Sequence, residues 1–294
     1  MIINDDHFLL NINKQKGYSS AKVVAIVKKI LKAKKVGHAG TLDPIASGVL
    51  PIAVNKATKI IDYIQADEKE YYAEIKWGEK RDTDDIEGKI KSFSIKRPSN
   101  LEILSIISFF LGKVEQTPPE FSAIKVKGKR SYDLARSGQK VKLKSRSIFI
   151  KEIRLIFNNN KKAGFFIRCS KGTYIRSFAR DIAEKIGSFG YISDLKRLKV
   201  GKFSLAQTIS LDKLKILSKL NYTAFKLQTV DILDPSSNME INDDLSLKIN
   251  CGQNICLPIN FYHNQFVNLI KKGKLIAILD IKDSKINKII RFIN

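Results

Sequence analysis

Residues 37–54 read GHAGTLDPIASGVLPIAV, a glycine-punctuated loop that runs directly into an apolar strand. Gly37, Gly40 and Gly48 let the backbone pass close to a bulky ligand, and the Asp43-Pro44 pair starts a turn inside the loop. Functional side chains concentrate on loops held by rigid elements. The holder on one side is the strand 49–54. On the other is a cationic helix capped by Ser19 or Ser20, whose Val23, Val24, Val27, Ile30 and Leu31 form one apolar stripe. Taken alone, Asp43 is a turn residue; in this loop it is also a candidate functional carboxylate. His38 is either a hydrogen-bonded loop histidine or a group that stacks on a base or carries a proton.

Outward from the loop, the pattern is mixed. Residues 8–13 alternate as a strand, 56–64 suit a short helix, and 69–77 form an aromatic strand that ends in the acidic loop DTDDIEG at 82–88. A helix is expected over 101–111, and Thr117-Pro118-Pro119 stops regular structure. Strands follow at 121–126, 147–157 and 165–169, with a short helix near 132–136. Next comes a helix carrying Ile175, Phe178, Ile182 and Ile186 on one side and Arg176 and Arg180 on another. Beyond Asp234-Pro235 the composition shifts, and strands are expected at 246–249, 274–280 and 288–293. The reading is an α+β fold: a catalytic domain over 1–233 built on a mixed, mainly antiparallel sheet, and a compact all-β appendage over 234–294.

Charge narrows the partners. The 294 residues carry 53 Lys and Arg against 29 Asp and Glu, a net charge of +24. Between Phe121 and Arg180 there are 17 cations and only two acids, Asp133 and Glu152. A one-sided run of that kind is the footprint of a polyanion. The N-terminus has no basic region followed by an apolar run, and no stretch of 18 apolar residues occurs, so neither a signal peptide nor a membrane span is expected. Cys169, Cys251 and Cys256 form no metal-binding spacing with His7, His38 or His263, and are read as reduced thiols of a cytoplasmic protein. A cytoplasmic RNA is the favoured partner.

Two further clusters carry chemistry. Ser170-Lys171-Gly172-Thr173-Tyr174-Ile175-Arg176 joins a strand to a helix N-terminus, a place that suits an anion. Tyr174 offers a flat face to a base or packs in the core, and Arg176 either grips a carboxylate with both nitrogens or sits at the surface. In Lys69-Glu70-Tyr71-Tyr72 the two tyrosines point to opposite faces of a strand, so at most one enters any given pocket.

These pieces, in this order and spacing, resemble the bacterial TruB tRNA pseudouridine synthases. The resemblance rests on NINKQKGYSSAKVV at 11–24, the 37–54 stretch, KEY at 69–71, TPPEFSAIKVKGKRSYDLARSG at 117–138 and CSKGTYIR at 169–176. It covers residues 8–215. It implies the pseudouridine synthase fold with a C-terminal domain of PUA type, no metal or organic cofactor, and tRNA as substrate, with the uridine at position 55 of the T-loop as target. Nothing in the sequence demands more than a monomer, and neither an obligatory protein partner nor membrane association is expected. The resemblance places Asp43 as the catalytic aspartate and Tyr71 as the residue that stacks on the target base. Tyr174 and Leu195 become substrate-pocket positions, and His38 the residue that fills the space left by flipped-out nucleotides. Arg176 becomes the partner of the catalytic carboxylate, and Asp85 part of the pocket lining. The family's opening motif reads Lys-Pro where this chain has Lys14-Gln15.

The chemistry suits those residue types. Pseudouridine formation breaks N1–C1′ and makes C5–C1′, and a carboxylate can stabilise or capture the sugar as that bond breaks. Nothing is hydrolysed, so one unassisted carboxylate suffices and no second acid is expected. A guide-RNA-dependent synthase of the archaeal and eukaryotic type is the nearest alternative, although Ile45-Ala46-Ser47-Gly48 matches the bacterial form. A non-catalytic RNA-binding protein is the alternative of a different class.

Overall fold

A computed structural model describes residues 7–292 apart from 67, 123, 127, 132–133, 135–136, 138–142, 221–222, 254, 256–264 and 284. Its centre is one large sheet in the order β1-β3-β12-β4-β11-β10-β7. The strands are β1 (Phe8–Lys14), β3 (Ala46–Val54), β4 (Lys69–Trp77), β7 (Gly112–Gln116), β10 (Arg146–Asn158), β11 (Lys162–Cys169) and β12 (Gly190–Val200). β2 (Val36–His38) pairs with β3, and β13 (Phe203–Ser204) with β12. Every pairing is antiparallel except β3 with β12, which run parallel where Ala46 faces Leu195. The mixed, mainly antiparallel sheet expected from sequence is therefore present. Between β4 and β7 lie two small strands, β5 (Glu79–Arg81) and β6 (Ile90–Phe93), which pair as a hairpin around the acidic loop.

Among the described residues, four helices contribute to the core on one face: α1 (Ser20–Leu31), α3 (Asn100–Ile107), α4 (Ile175–Lys185) and α5 (Leu211–Lys219). Ser19 caps α1 by accepting from the Lys22 N–H, and Val23, Val27 and Leu31 are buried while Val24 and Ile30 only flank the core. In α4 the stripe Ile175, Phe178, Ile182 and Ile186 is buried as its spacing predicts, with Phe178 edge-on to both Phe110 and Phe165. β4 alternates, burying Lys69, Tyr71, Ala73, Ile75 and Trp77, so Tyr72 faces away and donates to Glu74 at 2.7 Å.

β3 differs from β4, since both of its faces are dry. Leu50, Ile52 and Val54 belong to the core under the helices. Val49 and Ala53 belong to a second core with α2 (Ile61–Ala66) and with Leu275, Ile278 and Phe292 of the C-terminal sheet. That sheet has the order β14 (Asn238–Glu240), β15 (Gln265–Lys271), β16 (Lys274–Lys282) and β17 (Lys285–Arg291). Its other face closes a third core over Val267, Leu269, Ala277, Leu279 and Ile281. Tyr63 meets Phe266 edge-on across the junction, and Lys59 donates to the Arg291 carbonyl.

Several local expectations change. Residues 246–249 are not a strand; they lie in helix α6 (Asp243–Asn250), following α5 (Leu211–Lys219). Asn242 caps α6 by accepting from the Leu245 N–H, and burying Ser246 and Ile249 satisfies a helical period better than a strand alternation. The C-terminal unit is therefore not all-β. The helix expected over 56–64 begins as a 3-10 turn at Asn55–Ile60, and the one over 101–111 is α-helical to Ile107, finishes as a 3-10 turn at Ser108–Phe110 and leads into β7. Among the described residues of the strand expected at 121–126, β8 (Lys125–Val126) is formed and pairs with β9 (Lys129–Arg130), and most of the helix near 132–136 lies outside the described residues.

Candidate active site

The loop between β2 and β3 is held almost entirely through its main chain. Ala39 N–H donates to the Pro51 carbonyl at 2.9 Å. The buried Ser20 hydroxyl accepts from Leu42 N–H at 2.9 Å and returns a bond to Leu42 O at 3.0 Å. Pro44 O accepts from Gly17 N–H at 2.8 Å and from Lys14 Nζ at 3.3 Å. The Lys14 ammonium, fully buried, also donates to Tyr18 O at 2.7 Å and Gln15 O at 3.2 Å. So the turn closes with glutamine after Lys14, because the lysine reaches the carbonyls around it. Burial pushes the Lys14 pKa down to about 8, against the attraction of Asp43.

Arg197 closes the loop from below. Its Nε donates to Val49 O at 2.8 Å, Nη2 to Gly40 O at 3.0 Å and Nη1 to Thr41 O at 3.3 Å. Sequence reading passed over this residue. The available signal was its place two positions after Leu195, on a strand whose register sets Leu195 opposite Ala73 and Arg197 opposite Tyr71.

Asp43 thus projects from a fixed backbone, and Arg176 meets it. Nε donates to Oδ2 at 2.8 Å and Nη2 to Oδ1 at 3.2 Å, a two-point grip. Arg176 is 5% exposed, and its remaining donors go to Thr83 O at 3.0 Å and Phe121 O at 3.1 Å. Burial works against its charge, but Asp43 and Asp85 outweigh burial and raise its pKa.

Asp85 stands on the other side of the same guanidinium, Oδ2 to Nη1 3.6 Å. The expectation of one unassisted carboxylate is therefore corrected: Arg176 is shared by two. The acidic loop folds this way because Thr83 Oγ1 and Glu87 N–H both bond Asp85 Oδ1, at 2.6 and 3.0 Å. Burial raises the Asp85 pKa, with Thr83 and Arg176 opposing. One turn along α4, Arg180 Nη1 bonds Asp84 Oδ2 at 3.0 Å, and burial lifts the Asp84 pKa to about 6 in spite of that pair. The loop is docked on α4 by two arginine–aspartate pairs.

The remaining candidates surround this pair in different ways. Tyr71 is buried, and burial raises its pKa to about 12 while the charge of Arg197 pulls the other way. Leu195 is buried beside Ala46, three residues after Asp43. His38 ends β2 with its Nδ1 buried and unpartnered, and burial followed by the charge of Arg197 lowers its pKa, so it is neutral at pH 7. Tyr174 is tied at both main-chain atoms to Gln116, whose Oε1 and Nε2 lie 2.8 and 3.1 Å away. The Arg146 guanidinium covers one face of its ring at 4.8 Å. Asp43, Arg176 and Asp85 are in direct contact; Tyr71 stands opposite Arg197 in the register of β4 and β12, His38 feels the charge of Arg197, and Tyr174 lies two residues before Arg176.

The basic tract is less free than its composition suggests. Arg176 and Arg180 turn inward, and Lys151, Lys162 and Arg168 pair with Glu68, Glu74 and Glu70. Among the described residues no group of three or more His, Cys, Asp or Glu is placed to hold a metal ion, and no helix is long and apolar enough to cross a membrane.

Comparison with known proteins gives a consistent result. Residues 28–175 match the model of the TruB family pseudouridylate synthase N-terminal domain. A tRNA pseudouridine synthase B of Ehrlichia ruminantium (strain Gardel) is 45% identical over 258 residues, covering 84% of this chain and 86% of the relative. The synthase of the same name from Bartonella henselae is 46% identical over 205 residues, covering 69% of this chain and 64% of its own length. Among solved structures, a Cbf5-Nop10-Gar1 complex superposes with a TM-score of 0.71 at 21% identity, covering 98% of this chain and 87% of the other, which shows a shared fold.

Proposed function

The chain belongs to the TruB family of pseudouridylate synthases, and we propose that it isomerises the uridine at position 55 in the T-loop of tRNA, with Asp43 as the catalytic residue. The observation that carries this reading is the two-point grip of the buried Arg176 on Asp43. The fixed guanidinium holds the carboxylate in one orientation, so that its oxygens are already in place when the sugar becomes positive.

The reaction balances within the nucleotide. N1–C1′ breaks, the freed uracil turns, C5–C1′ forms, and the proton displaced from C5 is matched by one gained at N1. Asp43 meets the sugar during cleavage, either by bonding to C1′ or by taking the 2′ proton, and both routes need it ionised. Tyr71 stacks on the base, Leu195 and Tyr174 wall the pocket, and Asp85 steadies Arg176 from the far side. A T-loop uridine is reached only after extrusion, which costs a few kcal/mol, and neutral His38 fills the space it leaves. Phosphate contacts by exposed lysines offset that cost and make binding fall with salt. The C-terminal unit contacts the tRNA away from the reacting base. The enzyme works as a monomer in the cytoplasm without an obligatory protein partner, metal or organic cofactor.

The test is incubation with an unmodified tRNA transcript, with and without guide RNA, followed by chemical mapping of pseudouridine. Product at the T-loop uridine on bare transcript is expected, and Asp43→Asn should abolish it while tRNA binding survives. No T-loop product from folded protein would sink the assignment, and product only with guide RNA would favour the archaeal and eukaryotic mode.

A further inference from the structure

Arg197 is 1% exposed, and it is the bulkiest of the fully buried side chains. A guanidinium is planar and its donors point in fixed directions, so bonds to three separate carbonyls fix three pieces of backbone relative to one another. Here two of them, Gly40 and Thr41, belong to the turn that leads to Asp43, and the third, Val49, belongs to β3 beyond it. The loop is thereby gripped on both sides of Asp43. On the neighbouring strand β4, Tyr71 stands in direct register opposite Arg197. The Arg197 backbone joins in: a Cβ on Gly48 would sit 2.2 Å from the Arg197 carbonyl oxygen.

We infer that Arg197 is a positioning residue for the isomerisation: it ties the Gly40, Thr41 and Val49 carbonyls to β12 directly opposite Tyr71, and so sets the separation between Asp43 and the residue that stacks on the base. This rests on the proposed roles of Asp43 and Tyr71. It assigns the two arginines different tasks. Arg176 touches the carboxylate and orients it, whereas Arg197 touches neither Asp43 side-chain oxygen and holds its place.

Arg197→Lys and Arg197→Met test the assignment. Lysine keeps the charge but supplies a single nitrogen, so it cannot span all three carbonyls. Hydrogen exchange of peptides covering 38–46 should quicken in both variants, a readout independent of activity. In single-turnover assays on unmodified tRNA, the rate should fall at least about 30-fold in Arg197→Lys while the Kd for tRNA stays within about threefold, since misplacement by about 1 Å costs on the order of 10²-fold in rate. If the loss lies wholly in tRNA affinity, or exchange over 38–46 is unchanged, the positioning role is refuted. If neither variant folds, Arg197 is a determinant of the fold alone and the inference is again refuted. A wild-type protein inactive on tRNA would count against the proposed function, while the exchange measurement would still decide whether the clamp exists.

Discussion

Substituting Gly48 by alanine should damage stability and rate together. Gly48 has φ +103°, a backbone state that costs a residue with a side chain about 1–3 kcal/mol. The added Cβ would lie 2.2 Å from the Arg197 carbonyl oxygen. A carbon and a carbonyl oxygen rest no closer than about 3.3 Å, so β3 and β12 must part by roughly 1 Å. Overpacking of this kind adds about 1–3 kcal/mol, for a total near 3 kcal/mol and a melting temperature about 6–12 °C lower. The strands part at the junction that positions Asp43, five residues upstream, so the single-turnover rate should drop on the order of 10²-fold even where the variant is fully folded. The assay is thermal denaturation beside release of tritium from C5-labelled uridine in tRNA, since the C5–H bond must break. Gly112→Ala is the control. Its φ is +77° with nothing within 4 Å of the added Cβ, so it isolates the dihedral cost, and it should melt a few degrees lower with an unchanged rate. A Gly48→Ala protein that melts within 1 °C of wild type and reacts within about twofold of it would show that the close approach does not position the loop.

Three further outcomes follow from the same geometry. Arg176→Met should leave Asp43 and Asp85 facing each other without a cation, costing about 3–5 kcal/mol of stability by urea denaturation and nearly all pseudouridine formation; unchanged stability would contradict the shared grip. Lys14 has a folded pKa near 8 against 10.5 in the open chain. The unfolded state therefore binds its proton more tightly, and stability should rise as pH increases from 8 to 10.5, by at most about 3 kcal/mol. Urea titrations at pH 7.5 and 10 should show that rise in wild type and lose it in Lys14→Met. Ser20→Ala strips Leu42 of both main-chain partners, so a loss of about 2–3 kcal/mol and slower turnover at unchanged tRNA affinity are expected, with denaturation and single-turnover kinetics as the measurements.

What the sequence displays of this site is its side-chain chemistry. Asp43 and Arg176 sit in long motifs, and their pairing follows from opposite charges on a loop and a helix start. Asp85 is visible as part of an acidic loop, but its place across Arg176 depends on how DTDDIEG turns between β5 and β6. Arg197, Ser20 and Lys14 are harder to see because their partners are carbonyls and N–H groups, which every residue carries and no pattern marks. Burial also inverts the usual reading of a cation as a surface residue, for Lys14, Arg176 and Arg197 alike. In the fold, strong periodicity was legible in α1, α4 and β4. Ser246–Ile249 misleads because four residues of alternating character fit a strand or one turn of helix, and only the Asn242 cap and burial of Ile249 decide.

The double burial of β3 bears on how the protein is divided into modules. Chains with a C-terminal unit after a larger one are often treated as assemblies of interchangeable parts. Here the appendage supplies Leu275, Ile278 and Phe292 to a core whose other wall is Leu9, Val49 and Ala53. Grafting a foreign unit in its place, or cutting the chain before it, would wet one side of the strand on which the Asp43 loop is hung. The C-terminal sheet is thus part of the scaffold of the strand that carries the Asp43 loop, and any transplant must bring a matching apolar wall with it.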